Sequence, residues 1–279
     1  MELKKSKCLL DAKNILKSKG VETLRDCEHI LASVMGVSVI ELNTIDELTK
    51  KQAKAFAKLI KARSRHVPLD KIIGYTDFLS LRIPFNKNTL TPRQETEILV
   101  DMIIKDIKGS SPDVLDMCSG SGCIGLAIAK ETSSNVTLCD VSKKAIKISK
   151  KNAQVNQVKV NFILSNMFKN IPSRYDIIVS NPPYINKSDL EKLEIEVRDF
   201  DPRLALVGGF DGLDFYRIIA KEGAEYLKPN GVIYLEIGIN QSKEIVDALQ
   251  ENFVDIKVIK DYSGIERFIS AKKREDNVK

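Results

Sequence analysis

Val114-Leu115-Asp116-Met117-Cys118-Ser119-Gly120-Ser121-Gly122-Cys123-Ile124-Gly125 is a short apolar run that gives way to a turn of small residues. A helix is expected just beyond it, over Ile124–Lys130. A buried strand that ends in glycines and opens a helix is the first half of a βαβ unit. The alternation continues downstream. Asn135–Asp140 reads as a second strand, followed by a helix over Ser142–Ala153. Further strands fit Val158–Leu164, Tyr175–Ser180, Gly231–Ile237, Phe253–Lys260 and Glu266–Ala271, and helices fit Leu213–Leu227 and Gln241–Gln250. Seven strands alternating with helices imply a mostly parallel α/β sheet covered on both faces. The last two strands have no helix between them and are expected to pair antiparallel at one end.

Upstream the pattern is helical. Leu9, Ala12 and Leu16 recur at helical spacing before Gly20, and Leu24, Cys27, Leu31 and Val34 do so before Gly36. Thr49-Lys50-Lys51-Gln52 is a capping box, and a helix carrying Phe56, Leu59, Ile60 and Arg63 follows it. Between Pro68 and Thr91 the prolines and Gly74 punctuate short extended runs such as Phe78–Ile83, which read as a β-hairpin. The expected organisation is a helical domain over 1–67, a hairpin linker over 68–91 and an α/β domain over 92–279.

Composition bounds the class. The chain has 279 residues, 43% of them hydrophobic and 29% charged, as in a globular protein. No apolar run approaches the ~18 residues that cross a bilayer. Residues 1–7 lead into an amphipathic stretch and not into a signal segment, so a cytoplasmic location without membrane partners is expected. Cys8, Cys27, Cys118, Cys123 and Cys139 form no C-x-x-C pair, and reduced thiols are expected in place of a metal site. The net charge of +6 is uneven: residues 1–75 hold 15 Lys/Arg against 9 Asp/Glu, and the rest is balanced at 29 each. A basic N-terminal segment suits an acidic partner, and it equally suits a solvated lysine-rich helical face.

The loop after the first strand narrows the ligand. Glycine lets the backbone approach a ligand closely. Cys118–Gly122 fits neither G-x-G-x-x-G nor the P-loop, which disfavours phosphate. Asp140 ends the next strand, 24 positions after Asp116. A carboxylate there accepts hydrogen bonds from both ribose hydroxyls of an adenosine ligand, or it caps the following helix. Loop and acid together favour an adenosyl cofactor, with NAD as the competitor.

Tyr175-Asp176-Ile177-Ile178-Val179-Ser180-Asn181-Pro182-Pro183-Tyr184 carries the chemistry. In a doubly wound sheet, ligands bind beyond the carboxyl ends of the strands, so this turn faces the cofactor. Two prolines fix the backbone and remove two donors. The Asn181 side-chain carbonyl and the Pro182 carbonyl are then two acceptors suited to a planar –NH2 group, and Tyr184 offers a flat face to stack on it. Such a nitrogen is a poor nucleophile because its lone pair is delocalised. Orienting both N–H bonds assists its attack on a sulfonium methyl by positioning and electrostatics. The bland alternative is a simple Asn-Pro turn.

Asn181–Tyr184 after this strand resembles the amino methyltransferases of the Rossmann-like class, and other stretches narrow the resemblance to the release factor glutamine methyltransferases. Pro68–Gly74 is similar to that family's P-L-x-Y-I-x-G segment, with Lys71 where an aromatic is usual. Leu90-Thr91-Pro92-Arg93-Gln94-Glu95-Thr96-Glu97 is similar to its I-P-R-P-E-T-E signature, with Gln94 in place of a proline. Val197–Leu206, Gly208–Leu213, Leu235–Gly238 and Gln241 also match. The resemblance implies a seven-stranded methyltransferase domain that uses S-adenosylmethionine to methylate the glutamine of the Gly-Gly-Gln motif in peptide chain release factors. It implies that Cys118, Ser119, Gly120, Ser121 and Gly122 wrap the methionine part of the cofactor and that Asp140 holds the ribose. Residues 166–168, with Asn166 and Met167 where an acid and an aromatic are usual, would lie beside the adenine. Asn181 would meet both cofactor and substrate; Pro182, Pro183 and Tyr184 would hold the amide; Arg93, Glu95 and Glu97 would line or close the site. The rivals are an amino methyltransferase acting on adenine or guanine in nucleic acid, which the charge balance of residues 76–279 disfavours, and a non-catalytic cofactor-binding adapter.

Overall fold

The computed structural model describes residues 3–21 and 24–275; Met1 and Glu2 of the N-terminal stretch lie outside them. Two compact units are present: the described part of Met1–Tyr75 together with Glu194–Phe200, and the described part of Thr76–Leu193 together with Asp201–Lys279.

In the first unit, strand β1 (Leu3–Lys4) leads into α1 (Lys5–Lys17) and α2 (Leu24–Met35); β2 (Glu47–Leu48), α3 (Lys50–Arg63) and α4 (Leu69–Ile73) follow. Ala12, Leu16, Cys27, Ile30, Leu31, Phe56 and Ile60 close its core. Gly20 and Gly36 adopt positive φ past the ends of α1 and α2, where a residue with a Cβ would be strained. Thr49 and Gln52 form the capping box of α3. The helical spacing that puts Arg63 on the apolar face of α3 buries a guanidinium, and the unit answers with partners. Asp26 and Glu196 both bind it, and the Val67 carbonyl accepts a further bond at 3.1 Å.

A hairpin of β3 (Tyr75–Phe78) and β4 (Leu81–Pro84), which belongs to the second unit from Thr76 onward, is followed by helix α5 (Gln94–Asp106). The expected linker region therefore holds α4 as well as the hairpin. Helix α5 was not anticipated, although Thr96, Leu99, Val100 and Ile103 bury one face of it. The βα array follows as β5 (Asp113–Met117), α6 (Cys123–Glu131), β6 (Asn135–Asp140), α7 (Lys143–Val155), β7 (Asn161–Leu164) and β8 (Tyr175–Ser180). The chain then contributes Glu194–Phe200, with the short α8 (Ile195–Arg198), to the first unit. It returns for α9 (Arg203–Leu206), α10 (Asp214–Glu222), β9 (Leu227–Glu236), α11 (Ser242–Leu249), β10 (Phe253–Lys260) and β11 (Glu266–Lys273).

The seven strands form one sheet in the order β10-β11-β9-β8-β5-β6-β7. The five strands from β9 to β7 run parallel, and β11 and β10 pair antiparallel at one edge. Successive side chains on a strand point to opposite faces, and β5 shows the result. Val114 joins a core with α5, α6 and the hairpin, whereas Leu115 and Met117 join a second core with α10 and α11. Strand β7 starts three residues later than expected, after Gln157 takes a positive φ. Strand β9 starts at Leu227, and the preceding helix stops at Glu222 and tightens into a 3-10 turn over Gly223–Tyr226. No helix among the described residues is long and apolar enough to cross a membrane.

Candidate active site

The register of the central strands sets the site. Met117 stands opposite Cys139 on β6 and Ser180 on β8, so three chain segments leave the sheet side by side: Cys118–Gly122, Asp140–Ser142 and Asn181–Tyr184. The Ser180 hydroxyl donates to the Met117 carbonyl at 2.7 Å, and Ser119 N–H donates to the Cys139 carbonyl at 2.9 Å. These bonds tie the tips together.

Cys118, Gly120 and Gly122 all take positive φ, which folds the loop into a tight cradle. Gly122 is also confined sterically, since a Cβ there would meet Leu138 Cδ1 at 2.9 Å and Ser149 Cβ at 3.0 Å. The buried Asn152 amide holds the Ser121 carbonyl at 2.8 Å. Beneath the loop, Asp116 Oδ2 accepts Gly125 N–H at 2.9 Å. Burial pushes the Asp116 carboxyl up to about 7, against that backbone bond, with the charge of Asp140 adding to the rise.

Asp140 is not the cap of α7. Ser142 fills that place, accepting from Ala145 N–H. Asp140 spans the two loops instead: Oδ2 accepts Gly120 N–H and Oδ1 accepts Ser142 N–H, both at 2.8 Å. Burial raises its pKa, opposed by the N–H groups of Ser142, Gly120 and Val141. Each carboxylate oxygen has room for a second bond, so acceptors remain for a pair of hydroxyls.

One cavity joins these parts. Its lining includes Cys118, Ser119, Gly120, Ser121, Asp140, Asn166, Met167, Asn181, Pro183 and Arg93 from the expected set. Gly122, Pro182, Tyr184 and Glu95 are not among the lining residues, and Glu95 is exposed. Glu97 accepts Leu79 N–H at 3.0 Å and so fastens the hairpin. Phe168 stacks on Tyr226 at 4.7 Å inside the core instead of facing the cavity. Arg93 pairs at 2.8 Å with Asp201, whose side chain is almost fully buried.

The Asn181–Tyr184 turn is braced from behind. Gln241 donates to the Tyr184 carbonyl at 3.0 Å. Gly208 and Gly212 press so close that a Cβ would meet Pro183 O at 2.5 Å and Tyr184 O at 2.3 Å. That packing explains Gly208 and Gly212. Burial raises the Tyr184 hydroxyl to about 12, with Glu236 reinforcing it, so the phenol stays neutral.

Sequence reasoning gave no role to Thr89, Thr96, Leu204, Ala205 or Phe215, all of which line the cavity. The hydroxyls of Thr89, Thr91 and Ser119 are buried with no hydrogen-bond partner among the described residues. Buried hydroxyls ordinarily find partners. Three unsatisfied ones beside a glycine cradle and an acidic strand end fit a polar ligand with an adenosine part.

The family model described as Methyltransferase small domain matches residues 91–197, and that described as PrmC N-terminal domain matches residues 7–74. The release factor glutamine methyltransferase of Fusobacterium nucleatum is 39% identical, over 92% of this chain and 76% of its own length. That of Thermodesulfovibrio yellowstonii is 36% identical, over 95% and 98%. Among solved structures, a methyltransferase from Pyrococcus furiosus superposes with a TM-score of 0.56 at 18% identity, covering 76% of this chain and 97% of its own. The 16S rRNA N2 G1207 methyltransferase of Thermus thermophilus gives 0.53 at 18% identity, covering 72% and 50%. The two structures agree in fold.

Proposed function

The chain belongs to the release factor glutamine methyltransferase family, and from that membership we propose that it methylates the side-chain amide of the glutamine in the Gly-Gly-Gln motif of a peptide chain release factor, using S-adenosylmethionine. The observation that carries the reading is the shared cavity. A braced Asn-Pro-Pro-Tyr turn opens beside a glycine cradle and an acid whose spare lone pairs suit a ribose.

When bound, S-adenosylmethionine supplies an electrophilic methyl group on a sulfonium sulfur. Asp140 would hold the ribose hydroxyls, and Ser119, Thr89 and Thr91 would supply hydroxyls to the polar end of the cofactor. Asn181 Oδ1 and the Pro182 carbonyl accept the two N–H bonds of the substrate amide. Those acceptors stabilise positive charge as it develops on the nitrogen and fix the direction of its lone pair. Because the turn is held by Gln241, Gly208 and Gly212, little reorganisation is needed when the amide binds. Tyr184, neutral across the physiological range, packs and positions and does not act as a base.

The test is methyl transfer from labelled cofactor to purified release factor, with RNA and DNA in parallel. Label on the Gly-Gly-Gln glutamine, abolished when that glutamine is alanine, is the expected result. Label in nucleic acid and none in the release factor would establish the rival substrate class.

A further inference from the structure

A carboxamide has two orientations that fill nearly the same space, and only one turns the Asn181 oxygen to the substrate. Two buried side chains stand behind it. Thr96 on α5 donates its hydroxyl to Glu236 Oε2 at 2.7 Å, and both residues are 2% exposed. Thr96 Oγ1 lies 3.5 Å from Asn181 Nδ2. Glu236 ends β9 and does not line the cavity.

The polarity of this chain follows from proton counting. An ionised carboxylate only accepts, and a hydroxyl has one proton to give. Once Thr96 commits that proton to its hydrogen bond with Glu236, it presents lone pairs alone to Asn181. Asn181 must answer with its NH2 group, which leaves Oδ1 on the opposite side. We infer that Glu236 is a positioning residue which, through the Thr96 hydroxyl, selects the amide orientation that presents the Asn181 oxygen to the substrate N–H. The inference rests on the role given to Asn181 above and extends it to a residue outside the cavity.

The carboxylate form is what does the selecting. Burial pushes the Glu236 carboxyl up to about 7; the Thr96 bond, the Arg267 charge and a hydrogen bond from the Asn181 NH2, which favours the same amide orientation as the Thr96 contact, oppose the rise, and Glu95 adds to it. Tyr184, Tyr216 and Cys123 also feel its charge, and all three stay protonated near neutrality. A glutamine at 236 can turn either its carbonyl or its NH2 to Thr96, so the fixed polarity is lost, the Thr96 proton is free to meet Asn181, and the Asn181 amide can take both orientations.

Glu236→Gln and Thr96→Val are therefore compared with wild type, and Thr96→Ser serves as the conservative rescue. The expected result is a kcat about tenfold or more lower in the first two. Release-factor KM, cofactor Kd and melting temperature stay within about twofold or a few degrees. Thr96→Ser recovers most of the rate, and Glu236→Gln loses the Glu236 part of the inflection expected near neutral pH in wild type. Wild-type kcat and pH profile in Glu236→Gln would overturn the inference, as would a loss of cofactor affinity that accounts for the whole defect. A neutron crystal structure of the wild-type chain decides the matter without a substrate: Asn181 NH2 facing Thr96 is expected, and Asn181 Oδ1 facing Thr96 overturns it. If wild type transfers no methyl group to release factor, the substrate reading fails and the neutron result still decides the orientation.

Discussion

Asp140→Asn is the substitution that separates ligand binding from loop support. The side chain keeps its shape, but one of two acceptor oxygens becomes an NH2 donor. At present Oδ1 takes Ser142 N–H and Oδ2 takes Gly120 N–H, each at 2.8 Å. In the variant, one backbone N–H faces another donor. Losing one charge-assisted bond costs about 1.5–3 kcal/mol, while removing a buried charge recovers part of that cost. We expect a net loss of about 1 kcal/mol in stability, or roughly 2–4 °C in melting temperature for a chain of this size. The effect on the cofactor is larger. A ribose hydroxyl that loses a charged acceptor forfeits about 1.5–3 kcal/mol, which raises Kd roughly 10- to 150-fold. Isothermal titration with S-adenosylmethionine, paired with thermal unfolding of the free chain, measures both. Unchanged cofactor affinity would refute the ribose assignment, and a collapse of the fold would show that Asp140 is chiefly a strut.

Other outcomes follow from the same geometry. Gly125→Ala places a Cβ 2.2 Å from the buried Leu138 Cδ2, so the Leu138 side chain or α6 must shift; denaturant unfolding should show a loss of about 1–3 kcal/mol, and full stability would contradict that contact. Asp116 and Glu236 are held near pKa 7, above the usual carboxylate range, so their favourable contribution is complete below about pH 4 and is lost as pH rises through about 7. Unfolding free energy of the free chain should therefore carry a falling component across that window, and replacing either by its amide should flatten it. If the basic N-terminal segment steers an acidic release factor, added salt should lower kcat/KM through slower association, and a salt-independent kcat/KM would remove that role.

The middle of the sheet was legible because β5, β6 and β8 each end at a chemical signal: small residues after Met117, an acid at Asp140, Asn-Pro-Pro after Ser180. The cradle and the turn were legible for the same reason. Helix α5 was not, since Pro92 and the polar run Gln94–Glu97 hide its opening turn and its buried face emerges only from Thr96 onward. The start of β7 and the irregular first part of β9 depended on Gln157 and Asn230 taking positive φ, which the local sequence does not require of either residue. The sharing of Glu194–Phe200 with the helical unit rests on Arg63 meeting Glu196, 133 positions away. The partnership of Thr96 with Glu236 spans 140 positions. Local patterning carries no signal for contacts of that kind, whereas the close approach of Gly208 and Gly212 to the Asn181–Tyr184 turn at least left its mark in the choice of glycine.

The grip on the substrate amide is tested most directly by single-turnover methyl transfer in Asn181→Ala with cofactor at saturation. A rate lower by about a hundredfold or more, with cofactor Kd close to wild type, is the predicted result. A variant that transfers methyl at the wild-type rate would contradict it.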